Sequence, residues 1–196
     1  MRNTLPFILA VLVISNLILT GCSRHIELVY PPEGRVVTKT VPAADAKEIT
    51  LLPFQDQREQ GDTIGQMQSL HGYNAAKIFT ESNATQWVTD AIAMELAGRG
   101  YKVTRVSRKQ KPASGLVLSG ELLSMSVNSR VKYVGDVSFM ARLEEDGTRL
   151  FENPYFGRAD IGLNWMARGK SYERALSETL ATAVQKLLTD VEARVS

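Results

Sequence analysis

A thiol, two imidazoles and one run of carboxylates are the side chains of this 196-residue chain best suited to chemistry. The thiol is Cys22, the single cysteine, directly behind Leu19-Thr20-Gly21. Small residues at that point suit a processing peptidase, so Gly21 and Cys22 mark an expected cleavage site. The imidazoles, His25 and His71, lie in no recognisable motif. Hydrolytic catalysis asks for a nucleophile, a base and an orienting partner within hydrogen-bond reach. The chain offers no Gly-x-Ser-x-Gly, no His-Glu-x-x-His and no phosphate-cradling glycine pattern. No catalytic residue and no metal ligand are assigned, and a non-enzymatic role is expected. Glu144-Glu145-Asp146 is a carboxylate cluster at a turn, where solvated charge is ordinary.

The element that presents Cys22 is a greasy N-terminal segment. Arg2 and the free amine precede the apolar run from Leu5 to Ile14, which Ser15 and Asn16 interrupt before Leu17-Ile18-Leu19. A spanning helix needs about 20 apolar residues, so this shorter run, ending in small residues, reads as a signal segment over residues 1 to 21. An ordinary secretory signal with an incidental cysteine, or an uncleaved anchor, is the competing reading. The arrangement resembles bacterial lipoprotein precursors. That resemblance implies a diacylglycerol on the Cys22 thiol, cleavage before it, and an N-acyl chain on the new amine, with no other cofactor. Each buried methylene adds about 0.8 kcal/mol, so two or three chains hold firmly. Ser23 stands where inner-membrane lipoproteins commonly carry Asp, which favours the periplasmic face of the outer membrane.

Composition narrows the rest. Loss of residues 1 to 21 leaves 175, enough for one domain with a core and a tether, and lowers the formal charge from +2 to +1. A nearly neutral chain is a poor partner for nucleic acid, which asks for a concentrated basic surface. With Cys22 committed to lipid, no thiol remains for a disulfide or a metal.

Residues 22 to 47 contain Pro31-Pro32, Gly34, Pro42 and Asp45. They read as a lipidated tether carrying two β-favouring runs that could add edge strands. Twenty-five residues of it would stretch about 80 Å at roughly 3.3 Å each. Residues 48 to 196 form the single α+β domain. Glu48 to Phe54 is its first strand, buried on both faces by apolar density, with Pro53 near an end. Gln55 to Lys77 has no periodicity and reads as a long surface loop, with Ile64, Met67, Leu70, His71 and Tyr73 as a candidate interaction surface. Those apolar side chains either tuck onto the domain or dock a partner.

Ser82 or Asn83 caps a helix whose stripe is Ala84, Trp87, Val88, Ala91, Ile92, Glu95 and Leu96, and Gly100 ends it. A strand over Tyr101 to Val106 follows, then a polar turn to Gly115. Apolar residues at 116, 118 and 122, then 123, 125 and 127, predict a bulge near Leu122 and Leu123 where side chains turn to the other face. Alternation from Val131 to Leu143 and from Tyr155 to Trp165 flanks an Asp146-Gly147 hairpin. A final helix from Ser171, its cap, to Arg194 shows an apolar stripe from Tyr172 to Val191. The order implies an α+β fold: a mostly antiparallel sheet with two helices packed on one face.

The lipidation site, the Asp56-Gln57-Arg58 turn, the Arg99-Gly100-Tyr101-Lys102-Val103 helix exit, the Leu116 to Leu143 hairpin region and the last helix together resemble the YajG-like family of bacterial lipoproteins. The resemblance implies no established activity or catalytic residues. Arg105, Arg108, Lys109 and Lys111 form the densest basic stretch, read as a solvated turn that guards an edge or as contact with an anionic envelope partner. Trp87, Trp165 and Tyr155 fit a core stripe as well as a ligand wall. The expected role is an outer-membrane-anchored accessory module that binds an envelope protein or the cell wall. The alternative is a carrier of a small apolar ligand or lipid, held between helices and sheet, that serves an envelope transport system.

Overall fold

The computed structural model describes residues 23–38, 46–69, 71–162 and 168–195. The signal segment, Gly21, Cys22, Leu70 and Trp165 lie outside the described residues. In chain order the strands are β1 (Ser23–Ile26), β2 (Glu48–Leu51), β3 (Gln55–Asp56), β4 (Thr63–Gln68) and β5 (Asn74–Thr80). They are followed by α1 (Ala84–Gly98), β6 (Lys102–Arg105), β7 (Leu116–Ser129), β8 (Lys132–Glu145), β9 (Thr148–Gly162) and α2 (Arg168–Val195). All described strands join one sheet.

That sheet is mixed, which corrects the expectation of a mostly antiparallel one. β7 pairs along its length with β8, and β8 with β9, as an antiparallel meander. The other edge of β7 is filled in succession by β2, β3 and β4, all parallel to it. β2 also pairs in parallel with β6, and β1 in parallel with β5. Hairpins cannot produce such neighbours, because parallel strands need a crossover. Here α1 and the β4–β5 hairpin lie between β2 and β6 in the chain and supply it.

Gln55 to Lys77 is therefore not a long loop but β3, β4 and most of β5. At the front of the chain, Ser23–Ile26 is an edge strand of the same sheet. β2 is shorter than expected and buried on one face: Ile49 and Leu51 are buried while Glu48 is exposed. Leu52 and Phe54 are buried beyond its end.

Leu123 is the extra residue between the Leu122↔Phe139 and Ser124↔Ser138 pairs, so the bulge falls at the predicted step. The buried series changes from even to odd numbers there yet stays on one face, since Leu122 and Met125 oppose Phe139 and Val137. Both helices cover that face. Phe54, next to α1 through its N–H bond to Thr89 Oγ1 at 3.1 Å, meets Phe139 edge-on with ring centroids 5.7 Å apart. α2 lies over Gly135 and Gly157, and its stripe from Tyr172 to Val191 is buried. The helix begins three residues before Ser171, which is buried inside it and is not the cap.

Candidate functional site

An open apolar groove among the described residues is organised by α1. Asn83 caps it, its side chain accepting from the Gln86 N–H at 2.9 Å. At the other end Tyr101 N–H bonds to Leu96 C=O at 3.2 Å and Gly100 N–H to Ala97 C=O at 3.1 Å, with Gly100 at φ +89°. That pair of bonds is the Schellman arrangement, which satisfies the last carbonyls and turns the chain into β6.

The stretch after β1 is stitched along this helix. Leu28 N–H donates to Ser82 Oγ at 3.1 Å near the helix start. Near its end, Glu95 is only 4% exposed and draws three partners. The Tyr30 hydroxyl donates to Glu95 Oε1, Arg35 Nη2 lies 2.7 Å from the same oxygen, and Gln185 Nε2 of α2 donates to Oε2 at 2.9 Å. A buried carboxylate is tolerated only when paired and hydrogen-bonded, and Glu95 meets both conditions. Burial first, then the hydrogen bond to Glu95, pushes the Tyr30 phenol well above the ordinary tyrosine range. Val37 and Thr38 cross the end of α1 so closely that a Cβ on Gly98 would sit 2.9 Å from Val37 Cγ1.

Between that stretch, the outer stripe of α1 and β6 runs a groove of about 1090 Å³. Leu28, Tyr30, Val37, Trp87, Met94 and Tyr101 give it an apolar lining. Met94 stands 38% exposed on the helix, and the Trp87 indole Nε1–H finds no acceptor among the described residues. Asp90 and Arg105 form an ion pair at its rim, and Gln86 Nε2 donates to Asp90 at 2.7 Å. Rim pairs of this kind add little energy but set orientation. The groove can take an extended apolar segment or chain, with the rim pair available to polar atoms.

The residues picked from sequence fall elsewhere. Ile64 is fully buried in β4 and belongs to the core, which removes it from any docking surface. Met67 is half-buried in β4, while His71 and Tyr73 are exposed at the β4–β5 turn. His25 stacks on Phe79 in neighbouring β5 and lies 3.5 Å from Glu81. The basic stretch is largely committed to structure: Arg105 to Asp90, Arg108 to the carbonyls of Pro53 and Gly120, and Lys111 to Glu144. Asp146 accepts from Gly115 N–H at 2.7 Å and shapes the turn. Tyr155 is core, its hydroxyl donating to Asp190 at 2.7 Å. Among the described residues no three His, Cys, Asp or Glu side chains gather as a metal site.

No family model and no curated protein matches the sequence. Its likeness to solved structures is one of fold. Protein XCC0632 from Xanthomonas campestris, a member of the DUF330 family, superposes with a TM-score of 0.51 at 11% identity, over 88% of this chain and 98% of that one. The hypothetical protein CT253 from Chlamydia trachomatis does so with a TM-score of 0.50 at 12% identity, over 76% of this chain and 98% of that one. Lipoprotein GNA1162 from Neisseria meningitidis lies further off, with a TM-score of 0.42 at 14% identity, over 75% of this chain and 99% of that one. The chain thus carries an α+β fold found in other bacterial proteins. Among its described residues no helix is long and apolar enough to cross a membrane.

Sequence reasoning missed the groove. Its signal was Glu95, a carboxylate inside the apolar stripe of α1, which required partners from some other segment.

Proposed function

We propose that this chain is a non-enzymatic lipoprotein of the outer membrane. Cys22 holds it by acyl chains on the periplasmic face, and its domain receives a segment of another envelope protein. The observation that carries the reading is the apolar groove along α1. Its volume matches the upper range of small-molecule sites, yet it lies open beside a helix, and an open lined groove suits an extended or helical segment. Support for the anchor comes from the Leu19-Thr20-Gly21-Cys22 arrangement behind an apolar run.

A photo-crosslinking residue at Met94 in intact cells is expected to yield one discrete adduct that disappears when Ala97→Glu charges the groove floor. Absence of any adduct, or an adduct indifferent to Ala97→Glu, would overturn the docking role. Mass spectrometry of native protein tests the anchor, and an unmodified Cys22 thiol would overturn it. The carrier reading now moves to the same groove. Where α2 crosses β8 and β9, a Cβ on Gly157 would meet Thr179 O at 1.9 Å, so no ligand space exists there between helix and sheet. A lipid co-purifying with the domain in a native mass spectrum would favour that reading.

A further inference from the structure

We infer that one end of the sheet, formed by the β4–β5 and β7–β8 turns, rests in the phospholipid head-group layer to which Cys22 is anchored. The inference rests on the acylation of Cys22 proposed above and adds an orientation to it. Its first support is register. Ser23, bonded directly to Cys22, pairs with Lys77 in β5. β5 pairs antiparallel with β4 (Met67↔Ala76), and β4 pairs in parallel with β7 (Met67↔Ser129). The start of β1, the β4–β5 turn and the β7–β8 turn therefore share one end of the molecule. The two turns abut, since a Cβ on Gly72 would sit 3.8 Å from Arg130 Cζ.

The second support is what that end displays. Tyr73 is 76% exposed and Val131 64% exposed, one at each turn. The two stand on abutting turns rather than scattered, and a tyrosine beside basic residues is a common furnishing of a membrane interface. Arg130 abuts Gly72 and Lys132 follows Val131, while Arg24 and Lys77 lie further back where β1 begins its pairing with β5. Arg24 lies over the Tyr172 ring at 5.5 Å, and Lys132 pairs with Asp160, which shares a surface hollow with Glu33, Glu178, Lys170 and Arg174. Cationic side chains at such a surface are drawn to anionic lipid phosphates.

Geometry supplies the third support. Tyr73 lies four residues along the chain from Lys77, roughly 13 Å at the rise of a strand. The turn therefore projects past Ser23, in the direction β1 enters from, and an anchor on the preceding residue draws that turn into the head groups.

The test uses the acylated protein in vesicles of phosphatidylethanolamine and phosphatidylglycerol. With Cys22 capped by lipid, a cysteine placed at Tyr73, Val131 or Thr148 is the only free thiol for a polarity-sensitive fluorophore. Thr148 serves as control, being exposed at the opposite end of β8 and β9. Probes at 73 and 131 are expected to shift to the blue and to be quenched several-fold more strongly by lipid-borne nitroxides than the probe at 148. Equal, water-like emission from all three, in protein whose mass shows the acyl chains, would overturn the orientation and leave the anchor standing. A mass without acyl chains would overturn both.

Discussion

Glu95 concentrates the energetics of single residues in this chain. Its carboxylate is removed from water and stabilised by three groups from two segments, so deleting one partner exposes a desolvation cost. Tyr30→Phe removes a hydrogen bond to a charged group and should lower stability by about 1–2 kcal/mol at neutral pH, read by chemical denaturation. The same variant should alter the alkaline limb. Burial, then the neighbouring carboxylate, raises the phenol of Tyr30 in the folded state, and the Asp190 bond adds to burial for Tyr155. The unfolded chain then loses these protons first, near pH 10. The stabilisation is complete below about pH 10 and drains as pH rises beyond it. Denaturation midpoints should fall less steeply above that pH in Tyr30→Phe than in the parent. Asp56 has the opposite sign. Hydrogen bonds from Arg58, whose Nε and Nη2 donate at 2.9 and 2.6 Å, hold its carboxyl below the ordinary range. That contribution is present above the ordinary carboxylate range and is lost as pH falls through the folded value. Arg58→Gln should make the acid limb shallower as pH falls through and below the ordinary carboxylate range, a small effect because the pair is partly exposed.

Among the elements, α2 lies directly against the β8–β9 ribbon. Ala175, Thr179 and Ala183 place small side chains at four-residue spacing over two glycines, and Thr179 Oγ1 returns its proton to Ala175 C=O at 2.6 Å. Gly157→Ala should cost about 3 kcal/mol or more, because the added methyl meets backbone that cannot move aside. Gly162→Ala, at the end of the same strand with no atom within 4 Å of its Cβ, should be nearly neutral in the same melting experiment. Local devices were the legible part of this architecture: the Asn83 cap, the Gly100 exit, the Leu123 bulge and the Asp146-Gly147 turn, whose φ values are +50° and +80°. Each is written in adjacent residues. β4 was illegible for a physical reason. Its Gly65 lies so near β7 that a Cβ would fall 1.7 Å from Val127 O, and the strand carries glutamines where it is only half-buried. Glycine and glutamine read as loop unless the partner strand, some 60 residues on, is known. The groove stayed hidden likewise, because its lining comes from three separated stretches.

For the molecule as a whole, what matters is how little freedom would separate the proposed anchor at Cys22 from the body. The expected reach of about 80 Å is absent from residues 23–38, which are held to β5, α1 and, through Arg24 over Tyr172, α2. Inserting ten Gly/Ser residues between Cys22 and Ser23 adds a coil of roughly 17 Å root-mean-square span. The insertion should leave the melting temperature unchanged while sharply reducing nitroxide quenching of a probe at position 73. It should also leave the Met94 adduct intact if the partner reaches down to the groove, and weaken it if the bilayer sets the height at which the two meet. One last consequence belongs to β7. The strand that seats β2, β3 and β4 is synthesised only after them, so although β1–β5, β4–β5 and β2–β6 can pair earlier, the pieces are not joined into one sheet until β7 emerges. Non-local pairing of this kind is slow to close. In the exported chain proposed above, that delay keeps the sheet from consolidating until the far side of a translocation pore is reached.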